Sequence, residues 1–411
     1  MPTPTRKRAL AMAVAVSGSY LVGLLSPGMF HVALPAVPSP PIVATGVVTF
    51  DRQLADDGYV TVGVLFDQTV NLVAKDGQVV HSWHLPYPLG GMATMSPDGS
   101  LLYLGKLPNW SGGVAHPSAP WFPEILQRLA WDGRVIWTHH DELMHHDFAV
   151  LPDGTIATFR LTALPAASAA RVPGGIPGSE DGGTMWTDQV IEIDPATGAE
   201  RVVFDYGTAW RPEDHPLPDF MPRSEWTHSN GIFYVQSDPV SHQEAYLVSA
   251  REVSTLMLIS RQTGKVIWQY GGPWVLDQQH DPTMLPDGHV LVFDDGQYRR
   301  GAISSSQVLE IDPVTNKVVW SYAGYGVGGS GFYSPITGGA QRLPNGNTLT
   351  TLGTRGQILE VTSSGRIVWD YRVAWGPVDP NYPVERMSFL FKSRDYPAGM
   401  VSTLLAGHKA S

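Results

Sequence analysis

One short unit, written six times, constrains this chain more than any other feature. It is a pair of alternating apolar runs, usually joined across an Asp-Gly, Thr-Gly or Thr-Asn turn and often ending in a tryptophan-bearing strand. The copies are Leu72 to Trp83, Gln127 to Trp137, Val190 to Phe204, Leu256 to Trp268, Val308 to Trp320 and Ile358 to Trp369. A period of two reads as strand and the turn dipeptides as tight reversals. Recurrence at roughly fifty to sixty-five residues marks a radial repeat. Between the copies stand further strand pairs at Gly58 to Phe66, Met92 to Leu104, His146 to Phe159, His228 to Ser249, His280 to Phe293 and Gly338 to Leu352. Four strands per repeat, six times over, predicts an all-β chain folded as a six-bladed β-propeller. The recurrent tryptophans are expected to fill the gaps between blades.

The propeller is expected over residues 58–395, after a Pro-rich linker at 35–57 and before a C-terminal tail at 396–411. Helical periodicity is nearly absent after residue 40, and Ser388-Phe389-Leu390-Phe391-Lys392 reads as an extra strand that closes the ring on the first blade. At the amino terminus, Arg6-Lys7-Arg8 precedes an apolar stretch from Ala9 to Leu25 broken by Ser26-Pro27-Gly28. Residues 1–34 thus have the layout of an export signal or signal anchor, with 9–25 as the membrane-attaching part. The balance of 38 acidic against 27 basic side chains, net charge -11, argues against nucleic acid as a partner. The chain has no cysteine, which excludes disulfides, thiol catalysis and cysteine-held metals.

The candidate chemistry follows from the repeat. His146-Asp147 and His280-Asp281 each open a hairpin whose turn glycine, Gly154 or Gly288, lies eight residues after the histidine. In a propeller the innermost strands line the channel, so His146, His228 and His280 should meet at one mouth. The second strand of a blade returns to the same face, which brings Arg251 there and offers Arg160 a similar place. Three imidazoles, the Asn230 carboxamide and one or two guanidiniums make an oxyanion site in an otherwise acidic protein, suited to a sulfate or phosphate ester. A neutral imidazole can attack sulfur or phosphorus while charged neighbours hold the other oxygens.

Thr227-His228-Ser229-Asn230, Ser249-Ala250-Arg251-Glu252-Val253-Ser254, Gln279-His280-Asp281 and His145-His146-Asp147 resemble the motifs of bacterial arylsulfate sulfotransferases, as do the Leu-Pro-Asp-Gly turns and the Gly-Lys-Val-Ile-Trp strand. The resemblance spans nearly the whole chain after the linker. It implies a cofactor-independent periplasmic propeller that moves a sulfuryl group from a phenolic sulfate ester to an acceptor phenol by ping-pong transfer. By motif, His280 would be the nucleophile that becomes sulfohistidine and His228 the acid/base. Arg251, Asn230 and His146 would bind the sulfuryl oxygens; His146 is preferred to His145 because it alone matches the spacing of His280. The best-known members carry a cysteine pair and a larger amino-terminal β-domain, so this chain reads as a shorter, cysteine-free branch.

Two other readings compete. The three histidines could hold zinc or iron, although Arg251 would repel a cation, or the propeller could be a noncatalytic binding module of the envelope. Two long stretches, Ala163 to Asp188 and Gly207 to Glu225, could be lids or disordered insertions. Trp210, Phe220, Trp226 and Tyr325 are candidates to stack on a phenol ring.

Overall fold

In the computed structural model, which describes residues 45–107, 123–299, 304–324, 331–377 and 388–409, the sheets form the six blades of a propeller. Inside to outside, blade 2 is Leu89–Met95, Leu101–Gly105, Ile125–Leu129 and Val135–His140; blade 3 is Met144–Val150, Ile156–Ala163, Trp186–Ile193 and Glu200–Asp205. Blade 4 is Ser229–Val235, Ala245–Ala250, Thr255–Ser260 and Val266–Gly271; blade 5 is His280–Met284, Val290–Asp294, Gln307–Asp312 and Lys317–Tyr322. The first strands of neighbouring blades lie against one another around the axis.

Both ends of the chain close the ring. Arg394–Tyr396 pairs with Tyr59–Gly63 and supplies the inner strand of blade 1, whose outer strands are Thr69–Ala74 and Val79–His84. Blade 6, Gly338–Arg342, Thr348–Leu352, Gln357–Val361 and Ile367–Arg372, gains a fifth strand from Gly46–Phe50, within the stretch expected to be a linker. The expected closing strand at 388–392 is displaced to 394–396. Upstream, the segment touches blade 1 through the Val64–Leu390 bridge and the Leu65 N–H to Phe389 carbonyl bond. Phe391 and Lys392 are instead buried at the centre of the ring.

Tryptophan does hold blades together, by a repeated bond as well as by packing. Trp268 Nε1 donates to Asn316 of blade 5 at 2.8 Å, Trp320 Nε1 to the Ser363 carbonyl of blade 6 at 2.8 Å, and Trp369 Nε1 to the Lys75 carbonyl of blade 1 at 2.7 Å. Each acceptor sits in the outer turn of the next blade, so the periodic tryptophan is a latch. Trp83 and Trp369 are fully buried, and truncating either to Ala should cost about 3–5 kcal/mol. Trp137 and Trp320 are only partly covered, a departure from the expected uniform core; the Arg342 guanidinium lies 4.8 Å over Trp320.

The expected tail contains a helix, Ala398–Lys409. Val401 is buried, and Met400, Leu404 and Leu405 pack on the cluster that includes Val70, Trp83 and Trp131. The two long insertions are one ordered buttress: Gly174–Ile176 pairs in parallel with Leu217–Pro222, and Arg223 binds Glu180 and the carbonyls of Ala169, Val172 and Gly174. No helix among the described residues is long and apolar enough to cross a membrane. The expected signal or anchor at 1–34 lies outside the described residues.

Candidate active site

Irregular backbone at the inner-strand entrances aims the site. Pairing with the second strand shifts register between Thr158 and Phe159 in blade 3, between Ser229 and Gly231 in blade 4, and between His280 and Thr283 in blade 5. Such bulges re-aim side chains. At them His146 (φ 58°), His228 (φ 48°) and Asp281 (φ 52°) adopt left-handed conformations uncommon for residues other than glycine. Close approach is needed as well: a Cβ at Gly231 would lie 2.5 Å from Pro282 Cδ, so blades 4 and 5 meet only because position 231 is glycine.

The three expected histidines do come together. The His146 and His228 rings meet edge to face at 4.6 Å, and His146 and His280 each have the Phe391 ring at 6.2 Å. His280 is 2% exposed, whereas His146 and His228 keep part of their surface open. Approach from solvent is therefore past those two.

Their environments push them apart electrically. Burial, then Arg251 and His228, hold His280 well below the ordinary histidine value. Its Nδ1 lies 3.0 Å from Asp295 Oδ1, and burial raises the Asp295 carboxyl well above its usual range. A proton held between Nδ1 and this carboxylate leaves a lone pair on Nε2 of His280. His146 is likewise held low, by burial, His228, His145, His280 and Arg251. Burial would lower His228 too, but the Glu225 carboxylate at 2.7 Å, with Glu252, outweighs it and the group is raised. One mouth thus carries an imidazole pushed toward the neutral form beside one pushed toward the charged form, the division that acid and nucleophile roles need.

Arg251 is buried at 9% exposure, with Nη1 on Glu252 Oε1 at 2.6 Å and Nη2 on Gln297 Oε1 at 3.1 Å. Its charge bears on both His146 and His280. Asn230 is differently engaged from the expected oxygen binder. Its Nδ2 donates at 2.9 Å to the carbonyl of Gln279, so the carboxamide holds the strand that presents His280. Arg160 turns to Glu200 and Gln189 within its own blade and lines a hollow with His140, Asp141, Glu142 and Leu143.

Asp281 reaches toward the neighbouring blade. Its carboxylate accepts from Lys392 at 2.9 Å, from Arg394 and from the Ala340 N–H at 3.0 Å in blade 6. Its repeat mate Asp147 accepts from Lys392 at 2.7 Å and from the Ile232 N–H at 3.0 Å in blade 4. The repeated His-Asp pairs therefore divide their labour: histidine to the mouth, aspartate to the neighbouring blade. Lys392 and Arg394, in the non-repeating closing segment, carry no periodic signal. Asp295 was legible by the rule that found Arg251, because it follows the second strand of blade 5.

Among the described residues, the cluster whose ligand atoms all lie within 4.8 Å is Asp287, His289 and Glu310, in the turn between the first two strands of blade 5 and in its third strand. At the mouth, the Nδ1 atoms of His146, His228 and His280 are committed to His145, Glu225 and Asp295, and Arg251 opposes a cation there. Of the ring candidates, Trp226 is fully buried and Trp210 stacks on His215 at 3.6 Å, so both are core; Tyr325 lies outside the described residues. Phe220 is 40% exposed and packs on Tyr298 at 4.4 Å and Trp274 at 6.3 Å. That trio adjoins the mouth through Gln297, the neighbour of Tyr298, which binds Arg251.

The sequence profile of the family described as Arylsulfotransferase (ASST) matches residues 125–374, more than half of the chain and all of the segment from His146 to His280. The chain belongs to the arylsulfotransferase family. It is an arylsulfotransferase-type enzyme without cysteine. None of the curated proteins matches its sequence. Similar solved structures include a protein of unknown function from Bacteroides caccae, at 13% identity and TM-score 0.49, over 83% of this chain and 99% of that one. Virginiamycin B lyase from Staphylococcus aureus is similar at 12% identity and TM-score 0.41, over 80% and 85%. Apo AztD from Citrobacter koseri is similar at 8% identity and TM-score 0.41, over 82% and 98%.

Proposed function

We propose that this arylsulfotransferase-type enzyme transfers a sulfuryl group from a phenolic sulfate ester to an acceptor phenol by a ping-pong mechanism through a sulfohistidine at His280. The observation that carries the reading is the pairing of His280, buried against Asp295 through Nδ1 and held low, with His228, bound to Glu225 and held high, beside Arg251. In the first half, the Nε2 lone pair of His280 attacks sulfur and an N–S bond forms. The S–O bond to the aryl group breaks, and the departing phenolate takes the His228 proton. In the second half, neutral His228 removes the acceptor's phenolic proton, the phenolate oxygen attacks sulfur, and the N–S bond breaks. Arg251 and His146 bind the nonreacting oxygens, where developing charge is best stabilised. Asn230 acts through Gln279 to keep His280 in line. Nothing in these steps uses a metal or an organic cofactor. The ring of the ester lies on the exposed trio Phe220, Trp274 and Tyr298.

The amino-terminal basic and apolar stretch supports export to the periplasm and membrane attachment through residues 9–25. The test of function is turnover of an aryl sulfate with and without added phenol. Phenol-dependent transfer that is abolished in His280→Asn is the expected outcome; transfer that persists in that variant would overturn the assignment.

A further inference from the structure

Two of the mouth histidines come from blades that do not adjoin. His146 belongs to blade 3 and His280 to blade 5, with blade 4 between them. Sheet pairing fixes each strand within its own blade, so the spacing of the two rings depends on side-chain contacts between blades. Blade 1, across the ring from blade 4, supplies such contacts. There Thr61 pairs with Arg394 and Val64 bridges Leu390, so Val62 and Gly63 face the three residues Phe391, Lys392 and Ser393. That is a bulge, the device that also aims the histidines of blades 3, 4 and 5.

The bulge meets the two His-Asp pairs side chain for side chain. The Phe391 ring lies 6.2 Å from the His146 ring and 6.2 Å from the His280 ring, the second edge to face. Lys392 Nζ lies 2.7 Å from Asp147 and 2.9 Å from Asp281. Phenylalanine thus takes both histidines, and lysine both aspartates. The pair is itself held. Phe391 is 6% exposed and packs in one cluster with Met92 and Leu104 of blade 2 and Met144 and Phe148 of blade 3. The Lys392 ammonium stands 5.6 Å from the centroid of its ring. A flat ring backed in this way gives each imidazole a fixed wall to lie against.

We propose that Phe391 is a positioning residue of the transfer site: its ring, locked in place by Lys392, sets the separation and tilt of His280 relative to His146. It thereby sets the line along which His280 meets the sulfur atom while His146 holds an oxygen. A displacement of about 1 Å at a reacting group costs about a hundredfold in rate. The chain's closing strand therefore completes the site as well as the ring. The contacts stand on geometry alone, whereas their use in catalysis rests on the sulfuryl-transfer reading.

The test is stopped-flow release of 4-nitrophenol from 4-nitrophenyl sulfate without acceptor, in wild type and Phe391→Leu. Leucine keeps most of the volume and loses the flat ring. The amplitude of the burst counts competent sites, and its rate reports bond making at sulfur. In Phe391→Leu the amplitude should stay at the wild-type value while the saturating rate falls about ten- to a hundredfold. The donor concentration for half-saturation should change by less than about threefold. A lower amplitude at unchanged rate, the mark of a purely structural role, overturns the proposal, as does a rate within about threefold of wild type. If Phe391→Leu does not fold, Phe391→Met is read in the same way. A wild-type burst with an undisturbed variant removes this proposal alone; a wild type that gives no burst removes the functional reading and the proposal together.

Discussion

Replacing Lys392 with Met would remove the cation shared by two buried carboxylates while filling most of its volume. Lys392 Nζ lies 2.7 Å from Asp147 and 2.9 Å from Asp281, and the side chains of all three are no more than 3% exposed. The losses are unequal. Asp281 keeps Arg394 and the Ala340 N–H, whereas the donor remaining to the Asp147 carboxylate is the Ile232 N–H. Stranding a buried charge costs about 3–5 kcal/mol. With an unfolding entropy of about 2.1 cal/mol/K per residue, a propeller of this length should lose about 4–6 °C in Tm. Adding Asp147→Asn to Lys392→Met should recover about 2 kcal/mol, because the orphaned charge is then gone. Acid unfolding supplies the sign check. Burial would raise Asp281, but Arg394 and Lys392 hold it well below its ordinary value. Its contribution is therefore full above the unfolded value of about 3.9 and is lost as pH falls below it, and Lys392→Met should weaken that acid dependence. Urea unfolding of the two single variants and the double variant at pH 7 and at about pH 2.5 measures all of this. A loss below about 1 kcal/mol, or no recovery in the double variant, would refute the idea that this ion cluster ties the blades beneath the site.

The two half-reactions should respond oppositely to alkali: release of phenol from the donor falls as pH rises through the raised value of His228, while transfer to the acceptor phenol rises, which rapid-mixing assays of each half can resolve. The acid limb, set by the lowered His280, should lie below the ordinary histidine range. Glu225→Gln removes the carboxylate that holds the His228 proton, so the alkaline fall in phenol release should move down by about one pH unit or more. Arg251→Met should lower kcat about a hundred- to a thousandfold with the fold intact by circular dichroism. Phe220→Ala should raise KM for aryl sulfates, more steeply for larger rings, while single-turnover transfer at saturation is little changed.

The periodic parts of this protein were legible from its residues, and the single-copy parts were not. Strand alternation and turn glycines recur in every blade, so blade number and the convergence of His146, His228 and His280 followed from spacing alone. The closing strand escaped by a few residues because Phe391 and Lys392 look like strand but serve the ring centre. The helix at 398–409 was hidden by its brevity, although Met400, Val401, Leu404 and Leu405 already show the spacing of one apolar face. His145 was passed over because spacing selects the side chain that faces the channel, not the one that supports it from behind. Glu225 reaches His228 from an insertion, and no repeat rule connects such positions.

The central claim is the covalent intermediate, and the most direct measurement is intact-mass and peptide mass spectrometry after brief exposure to an aryl sulfate without acceptor. A sulfuryl adduct on the peptide containing His280, absent in His280→Asn and discharged when phenol is added, is the predicted result. Release of phenol with no adduct on any peptide, or an adduct that maps to His228 or His146, would contradict the account.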